Sequence, residues 1–259
     1  MTPQTLETQT AAPKIERLRF EPVKRKLVVS EKTYITPNMI RIVVKGDELS
    51  GFHSPMPDDN IKMLVPDASG KTVMRSYTPR WYDADKGELA IDFAVHEAGP
   101  ATRWALDVEP GDEAYIAGPR GSKVVTGPVG RWLMLADETA IPALVRRLEV
   151  AEAGTPFQCI IAVPGQADEQ VVETVAQADI EWIHRDIFDW APADATPYLN
   201  ALKQMVIAPD TFIWIAAEGS VVRAIRDYLI TERGVDRRWI KATGYWVDGQ
   251  ADTTAKFDE

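Results

Sequence analysis

The chain has 259 residues, 45% hydrophobic and 26% charged, with a formal net charge of −10 and one cysteine, Cys159. That size fits one large or two modest globular domains, and the negative balance argues against nucleic acid or an anionic membrane as partner. One cysteine excludes an intrachain disulfide and a thiolate-held iron–sulfur cluster, and His53, His96 and His184 show no metal-ligand spacing.

Residues 1–17 are polar and aperiodic and are expected to form a flexible tail. They lack the charged and apolar regions of a signal peptide, and no apolar run approaches a membrane span, so a cytoplasmic protein is expected. Between residues 18 and 128 the pattern is strand-like. Strands are expected at 24–29, 39–45, 61–65, 72–78, 89–95 and 113–117, separated by turn residues such as Gly46-Asp47 and Lys86-Gly87. Six short strands of this kind suggest a small antiparallel barrel. The run from Gly99 to Leu106 interrupts them as a short helix with proline in its first turn.

After Gly127-Pro128-Val129-Gly130 the periodicity changes. Buried-type strands are expected at 132–136, 157–163, 180–184, 211–216 and 238–243. Helices are expected at 139–152, 170–176, 198–205 and 219–231. Apolar strands alternating with helices signal a parallel sheet covered on both faces, which binds ligands at the carboxyl ends of its strands. The expected fold is therefore an antiparallel β-barrel at 18–128 followed by a Rossmann-like α/β domain at 129–259.

The run Arg75-Ser76-Tyr77-Thr78 offers a cation, an aromatic face and two hydroxyls. On a strand, Arg75 and Tyr77 share one face, while Ser76 and Thr78 share the other or the strand edge. Such a set suits a flavin dinucleotide: a fork of donors for the pyrophosphate, a ring to cover the isoalloxazine, and small donors near it. The start of the 99–106 helix carries free N–H donors and a positive dipole end, and small residues at Gly99 and Ala101 would admit a phosphate. In the second half, two strand ends stand out, Asp137-Glu138-Thr139-Ala140 and Ala217-Glu218-Gly219. Neither is a glycine-rich dinucleotide fingerprint, yet Thr139 and Ala140 offer a small, polar helix start.

Five segments in this order (Arg75-Ser76-Tyr77-Thr78; Asp92-Phe93-Ala94-Val95-His96; Gly99-Pro100-Ala101-Thr102-Arg103-Trp104-Ala105; Asp137-Glu138-Thr139-Ala140-Ile141-Pro142; Gly244-Tyr245-Trp246) resemble the siderophore-interacting proteins, a branch of the ferredoxin–NADP reductase superfamily. The likeness spans residues 20–250. It implies a cytoplasmic FAD protein that passes electrons from NADH or NADPH to ferric iron held by a siderophore. By the resemblance, Arg75 binds the flavin phosphates, Tyr77 stacks on the isoalloxazine, and Ser76 and Thr78 bond near the ring. Asp92, Phe93, Val95 and His96 flank the ribityl or adenosine portion. Ala101 and Thr102 donate backbone N–H groups to the pyrophosphate on the segment that holds Trp104. Asp137, Thr139 and Ala140 line the cofactor from the second domain, with Ala217 and Glu218 beside the nicotinamide.

No nucleophile or general acid is required, so no catalytic side chain and no protein-bound metal is expected. The ferric siderophore is the substrate, and a monomer is the default. An acidic protein that takes an anionic chelate needs a local basic patch, for which the candidates are Lys62, Arg131, Lys241 and Lys256. In place of the basic residues common in the family after Tyr-Trp, this chain has Val247-Asp248-Gly249. The acidic loop 165–169 leans towards NADH, a lean that Arg185 or Arg223 would overturn by binding a 2′-phosphate. Two other readings stay open: a general NAD(P)H:flavin or quinone reductase, and a siderophore-binding protein without turnover.

Overall fold

The computed structural model describes residues 11–95 and 99–249, together with the backbone of 255–256. The first strand, β1 (Lys14–Arg19), pairs antiparallel with β9 (Gly121–Thr126) as a two-stranded ribbon. A side chain at Gly121 would collide with the Leu18 carbonyl, so only glycine lets the two strands approach this closely. Residues 14–17 therefore belong to a strand rather than to the expected tail; residues 1–10 lie outside the described residues.

Seven strands form one antiparallel sheet in the order β5 (Thr72–Tyr77), β4 (Ile61–Pro66), β8 (Glu113–Ala117), β2 (Lys24–Thr36), β3 (Met39–Lys45), β7 (Glu88–Ala94) and β6 (Pro79–Asp83). β5 and β6 are its two outer strands, yet only Thr78 separates them in the chain. One residue spans about 3.5 Å, so the sheet curls until its edges meet at Tyr77–Pro79. Alternation drives the curl: in β2, Leu27 and Val29 point inward while Lys24, Lys26 and Val28 face out. Ile40, Ile42, Met63, Ile91, Phe93 and Ile116 fill the interior, each contributing about 1.5–3 kcal/mol by leaving water. Helix α1 (Pro100–Asp107) closes one end with Ala101 and Ala105. The six expected strands all lie in this sheet.

The second sheet runs β12 (Gln177–His184), β11 (Pro156–Val163), β10 (Arg131–Asp137), β13 (Thr211–Glu218), β14 (Ile240–Trp246) and β15 (Ala255–Lys256). The first five are parallel and β15 is antiparallel to β14. Helix α2 (Ile141–Glu149) covers one face, while α3 (Thr196–Gln204) and α4 (Gly219–Thr231) cover the other. Both faces are buried, which is why β13 reads as a continuous apolar run.

Several local expectations fail. Residues 170–176 form no helix: Val171, Val172, Thr174 and Val175 are β-branched, and the segment is tied to α2 by the Thr174 hydroxyl donating to the Leu148 carbonyl. The helix expected from residue 139 begins at Ile141. Arg238 and Trp239 belong to a short 3-10 turn before β14.

Polar clamps join the two sheets. From α2, Arg146 donates to the carbonyls of Ser54, Pro57 and Pro79 at 3.0, 3.3 and 2.8 Å. Glu149 takes a forked pair from Arg80. Beyond β11, Asp168 accepts from the Thr36 hydroxyl and from the backbone and side chain of Asn38. Asp58, ahead of β4, meets Lys241 at 2.6 Å and the Trp214 indole at 3.2 Å.

Candidate functional site

The geometry is organised around Tyr77 at the end of β5. Its ring lies 4.3 Å from that of Phe93 on β7, which in turn lies 5.6 Å from Trp104 on α1. Three of the motifs are thus brought together by one aromatic row. Phe93 is fully buried inside it, so it supports the ring of Tyr77. Burial pushes the Tyr77 hydroxyl above its ordinary range, which keeps it neutral. Across β4 and β5, Met63 faces Arg75 and Ile61 faces Tyr77, so Arg75 and Tyr77 share the inward side, as alternation requires. Ser76 lies opposite Lys62 on the outer side. Thr78 is buried at the seam of the curled sheet.

Helix α1 opens at Gly99 with no side-chain cap, and its first internal bond is Arg103 N–H to the Gly99 carbonyl. Pro100 has no N–H, and among the described residues no side chain caps the helix start at the Ala101 and Thr102 amides. A side chain at Gly99 would meet open space. Ala101, by contrast, is small because it packs into the barrel core. Asp92 gives both carboxylate oxygens to Arg41, at 2.7 and 2.8 Å. Val95 continues β7 by donating to the Asn38 carbonyl. His96 lies outside the described residues.

In the parallel sheet the strand order reverses between β10 and β13, which makes a crevice at their carboxyl ends. Asp137 ends β10 and is buried; it accepts from the Thr139 amide at 2.9 Å, from the Thr139 hydroxyl, and from the Trp246 indole at 2.8 Å. Ala140 is fully buried under α2, so its side chain serves packing. Glu138 forms a forked pair with Arg185. Across the crevice, Glu218 caps α4 through the Ser220 and Val221 amides, and its other oxygen takes the Asp248 amide. Burial works to raise the Glu218 carboxyl, but the Ser220 hydroxyl and these amides hold it below its ordinary value. Ala217 is buried beside it.

The two strand-end carboxylates thus fasten Trp246 at the end of β14 and Asp248 just after it. Tyr245, next to Trp246, lies edge-on to Trp214 at 6.4 Å. Tyr245 and Trp246 carry the seam between the curled sheet and the crevice. Composition gave no sign of this; only the Gly-Tyr-Trp motif did.

Burial, reinforced by the Glu138 carboxylate, pushes the Asp137 carboxyl up to about 6. An unfolded aspartate loses its proton near pH 4, so between about pH 4 and 6 the folded protein holds one proton more. Asp137 therefore makes stability fall as pH rises through that window. The Asp137→Asn variant is expected to flatten the slope by on the order of 2 kcal/mol, read as urea midpoints at pH 4.5 and 7. Parallel profiles for the two proteins would refute the assignment.

The candidate cations do not converge. Arg131 begins β10, six residues before Asp137, and pairs with Asp210 at 3.0 Å. At about 3.3 Å per residue it stands some 20 Å from the crevice, so it is no substrate ligand. Lys241 is 2% exposed and paired with Asp58; burial removes it from any substrate. Lys62 remains on the outer face of β4. Lys256 pairs through its backbone with Thr243 in β15, and its side chain lies outside the described residues. The reason for favouring NADH also falls away, because Asp168 of the acidic loop clamps the β2–β3 turn. Arg185, in turn, is taken by Glu138.

A curled antiparallel sheet with an uncapped helix start, joined to a parallel sheet with its crevice at the seam, is the architecture of the ferredoxin–NADP reductases. Within that class the chain belongs to the siderophore-interacting protein family. The family model for the siderophore-interacting protein matches residues 129–249, and that for the siderophore-interacting FAD-binding domain matches 28–73 and 67–123. The chain is 34% identical over 253 residues to the NADPH-dependent ferric-chelate reductase of Escherichia coli (strain K12), covering 89% of this chain and 96% of that one. It is 30% identical to the ferric vibriobactin reductase ViuB of Vibrio cholerae, covering 85% and 88%. A siderophore utilization protein from T. fusca superposes with a TM-score of 0.84 at 31% identity, over 93% of this chain and 98% of that one.

Proposed function

We propose that this protein is an FAD-dependent ferric-siderophore reductase that draws its electrons from NAD(P)H. The observation that carries the reading is the seam: Arg146 of α2 donates to the Pro79 carbonyl at 2.8 Å, next to Thr78 and close in sequence to Tyr77, while Asp137 and Glu218 hold Trp246 and Asp248 at the crevice. A ring resting on Tyr77 would then lie towards the mouth of the crevice, where a nicotinamide would approach it.

The residues present fit FAD. The open amides of Ala101 and Thr102 and the Arg75 guanidinium suit a pyrophosphate, and the Tyr77 face suits a flat ring. Bound FAD supplies the conversion of two-electron hydride chemistry into single-electron donation. The protein binds, orients and shields. Phe93 and Trp104 hold the Tyr77 ring in place. Asp137 and Glu218 fix the Tyr245 segment. Reduction weakens the hold of hard oxygen donors on iron, so the ferrous ion leaves the chelate. Among the described residues no helix is long and apolar enough to cross a membrane; a cytoplasmic monomer is the form proposed.

The test is an absorbance spectrum of the purified protein, followed anaerobically by NADPH or NADH and then a ferric siderophore. A flavin band that bleaches and recovers as ferrous iron appears is expected. A colourless protein that takes up no added FAD would overturn the reading.

A further inference from the structure

A cavity lies at the amino ends of the parallel strands, on the side of the sheet away from the crevice. Trp132 and Phe157 stand at the starts of β10 and β11, and their rings stack at 5.9 Å with 8° between the planes. From the last turn of α2, the Arg147 guanidinium stands 4.7 Å from the centre of the Trp132 ring. Together with Val129, Val150 and Glu152, these residues line a cavity of about 250 Å³. Trp132 precedes Asp137 by five residues, about 17 Å of strand, so the cavity is distinct from the nucleotide crevice.

Two opposite charges line this cavity without meeting. Arg147 is half-buried, yet among the described residues its guanidinium donates no hydrogen bond and forms no ion pair. Burial pulls it below its ordinary value, against the opposing field of Asp58, and it stays charged all the same. Polar groups taken out of water are nearly always hydrogen-bonded, so donors left open in a cavity invite an anion. A guanidinium set over an indole turns its face to the ring and keeps its N–H edge for a forked carboxylate. Glu152 likewise has no side-chain partner among the described residues. It stands just past the end of α2, where the last carbonyls carry the negative end of the helix dipole. Arg147 thus favours a carboxylate, and Glu152 favours an ammonium.

We propose that this cavity binds a free aromatic α-amino acid as its zwitterion. The carboxylate takes a forked pair from Arg147, the ammonium donates to Glu152, and the ring lies against Trp132, Phe157 and Val150. The size agrees: the cavity matches the share of roughly eight waters at about 30 Å³ each, room for one amino acid and too little for a dinucleotide. A ligand with one charge satisfies half the site and opposes the other half. A carboxylic acid without the ammonium is repelled by Glu152, and an amine without the carboxylate is repelled by Arg147. None of these residues belongs to the Tyr77 row or to the crevice, so binding here is independent of the reductase reading.

The experiment titrates the full-length protein with L-phenylalanine by calorimetry, beside phenylpropionate, which lacks the ammonium, and phenethylamine, which lacks the carboxylate. Phenylalanine is expected to bind at a single site, and each analogue at least about tenfold more weakly. Arg147→Met keeps an apolar stem over Trp132 and removes the fork, so it should weaken phenylalanine about tenfold or more. Arg147→Lys should recover part of that loss. Glu152 is exposed, so Glu152→Gln leaves the fold intact and should abolish the preference for phenylalanine over phenylpropionate. Neither heat nor a raised melting temperature with phenylalanine at about 10 mM would overturn the proposal. Equal binding of phenylpropionate, or an affinity unchanged in Arg147→Met, would overturn it as well.

Discussion

Replacing Arg75 by alanine is expected to strip FAD from the protein while leaving the fold in place. Arg75 shares the inward side of β5 with Tyr77, and on the proposed reading it would supply the side-chain cation for a pyrophosphate. A charge-assisted hydrogen bond is worth about 1.5–3 kcal/mol, so the loss corresponds to roughly 10- to 100-fold in FAD affinity. The residue is half-buried and donates to the Met74 carbonyl at 2.9 Å, so unfolding of the flavin-free variant should shift by about 1 kcal/mol, well short of global unfolding. Arg75→Lys restores charge without the planar fork and should recover only part of the affinity. The measurement is FAD dissociation followed by flavin fluorescence after dialysis. Stoichiometric flavin retained by Arg75→Ala would show that the phosphates lie elsewhere.

Local pattern revealed elements with one buried face. The expected bounds of β3, β8 and α4 coincide with those observed: β8 alternates between core and solvent, α4 repeats its buried face, and β3 is an almost continuous apolar run ended by Lys45 before Gly46. β1, β6 and β9 escaped notice for the opposite reason. β1 and β9 pair only with each other, and β6 is an outer strand opened by a proline, so none has to alternate. In residues 170–176 a run of apolar and small residues mimicked helical spacing, yet Val171 and Val175 point to solvent.

The site was readable to the extent that its chemistry sits within single segments. Arg75 to Thr78, the α1 start and the two strand ends announce donors, rings and caps locally. How they meet does not follow from any one segment. The bond from the Trp246 indole to Asp137 joins residues far apart in the chain, as do the bonds that Arg146 makes to Ser54, Pro57 and Pro79. Lys241 shows the cost of reading charge without place: a lysine in a strand looked like a surface cation, and the fold uses it as the buried counter-ion of Asp58.

Breaking the Asp58–Lys241 pair should cost the most stability of any single change at the seam. Lys241 is 2% exposed and its ammonium also donates to the Lys123 carbonyl. Asp58 takes the Trp214 indole as well; burial pushes its carboxyl upward, but Lys241, with Arg147 and Trp214, holds it below its ordinary value. Removing either partner strands the other charge in a low-dielectric interior, so Lys241→Ala and Asp58→Ala should each lose about 3–5 kcal/mol. An apolar replacement of both, Asp58→Leu with Lys241→Met, strands neither charge of the pair, though it removes the acceptor of the Trp214 N–H, and should recover part of that loss. The sign with pH follows from the lowered carboxyl: its contribution is complete above the unfolded value near 4 and is lost as pH falls through the folded one. Acid should therefore narrow the gap between the unaltered protein and Lys241→Ala. Because the pair ties the chain ahead of β4 to β14, loosening it should also slow hydride transfer from NADPH in a stopped-flow trace, with FAD still bound. A double variant no more stable than the singles would mean that the pair acts through packing, and the electrostatic account would fall.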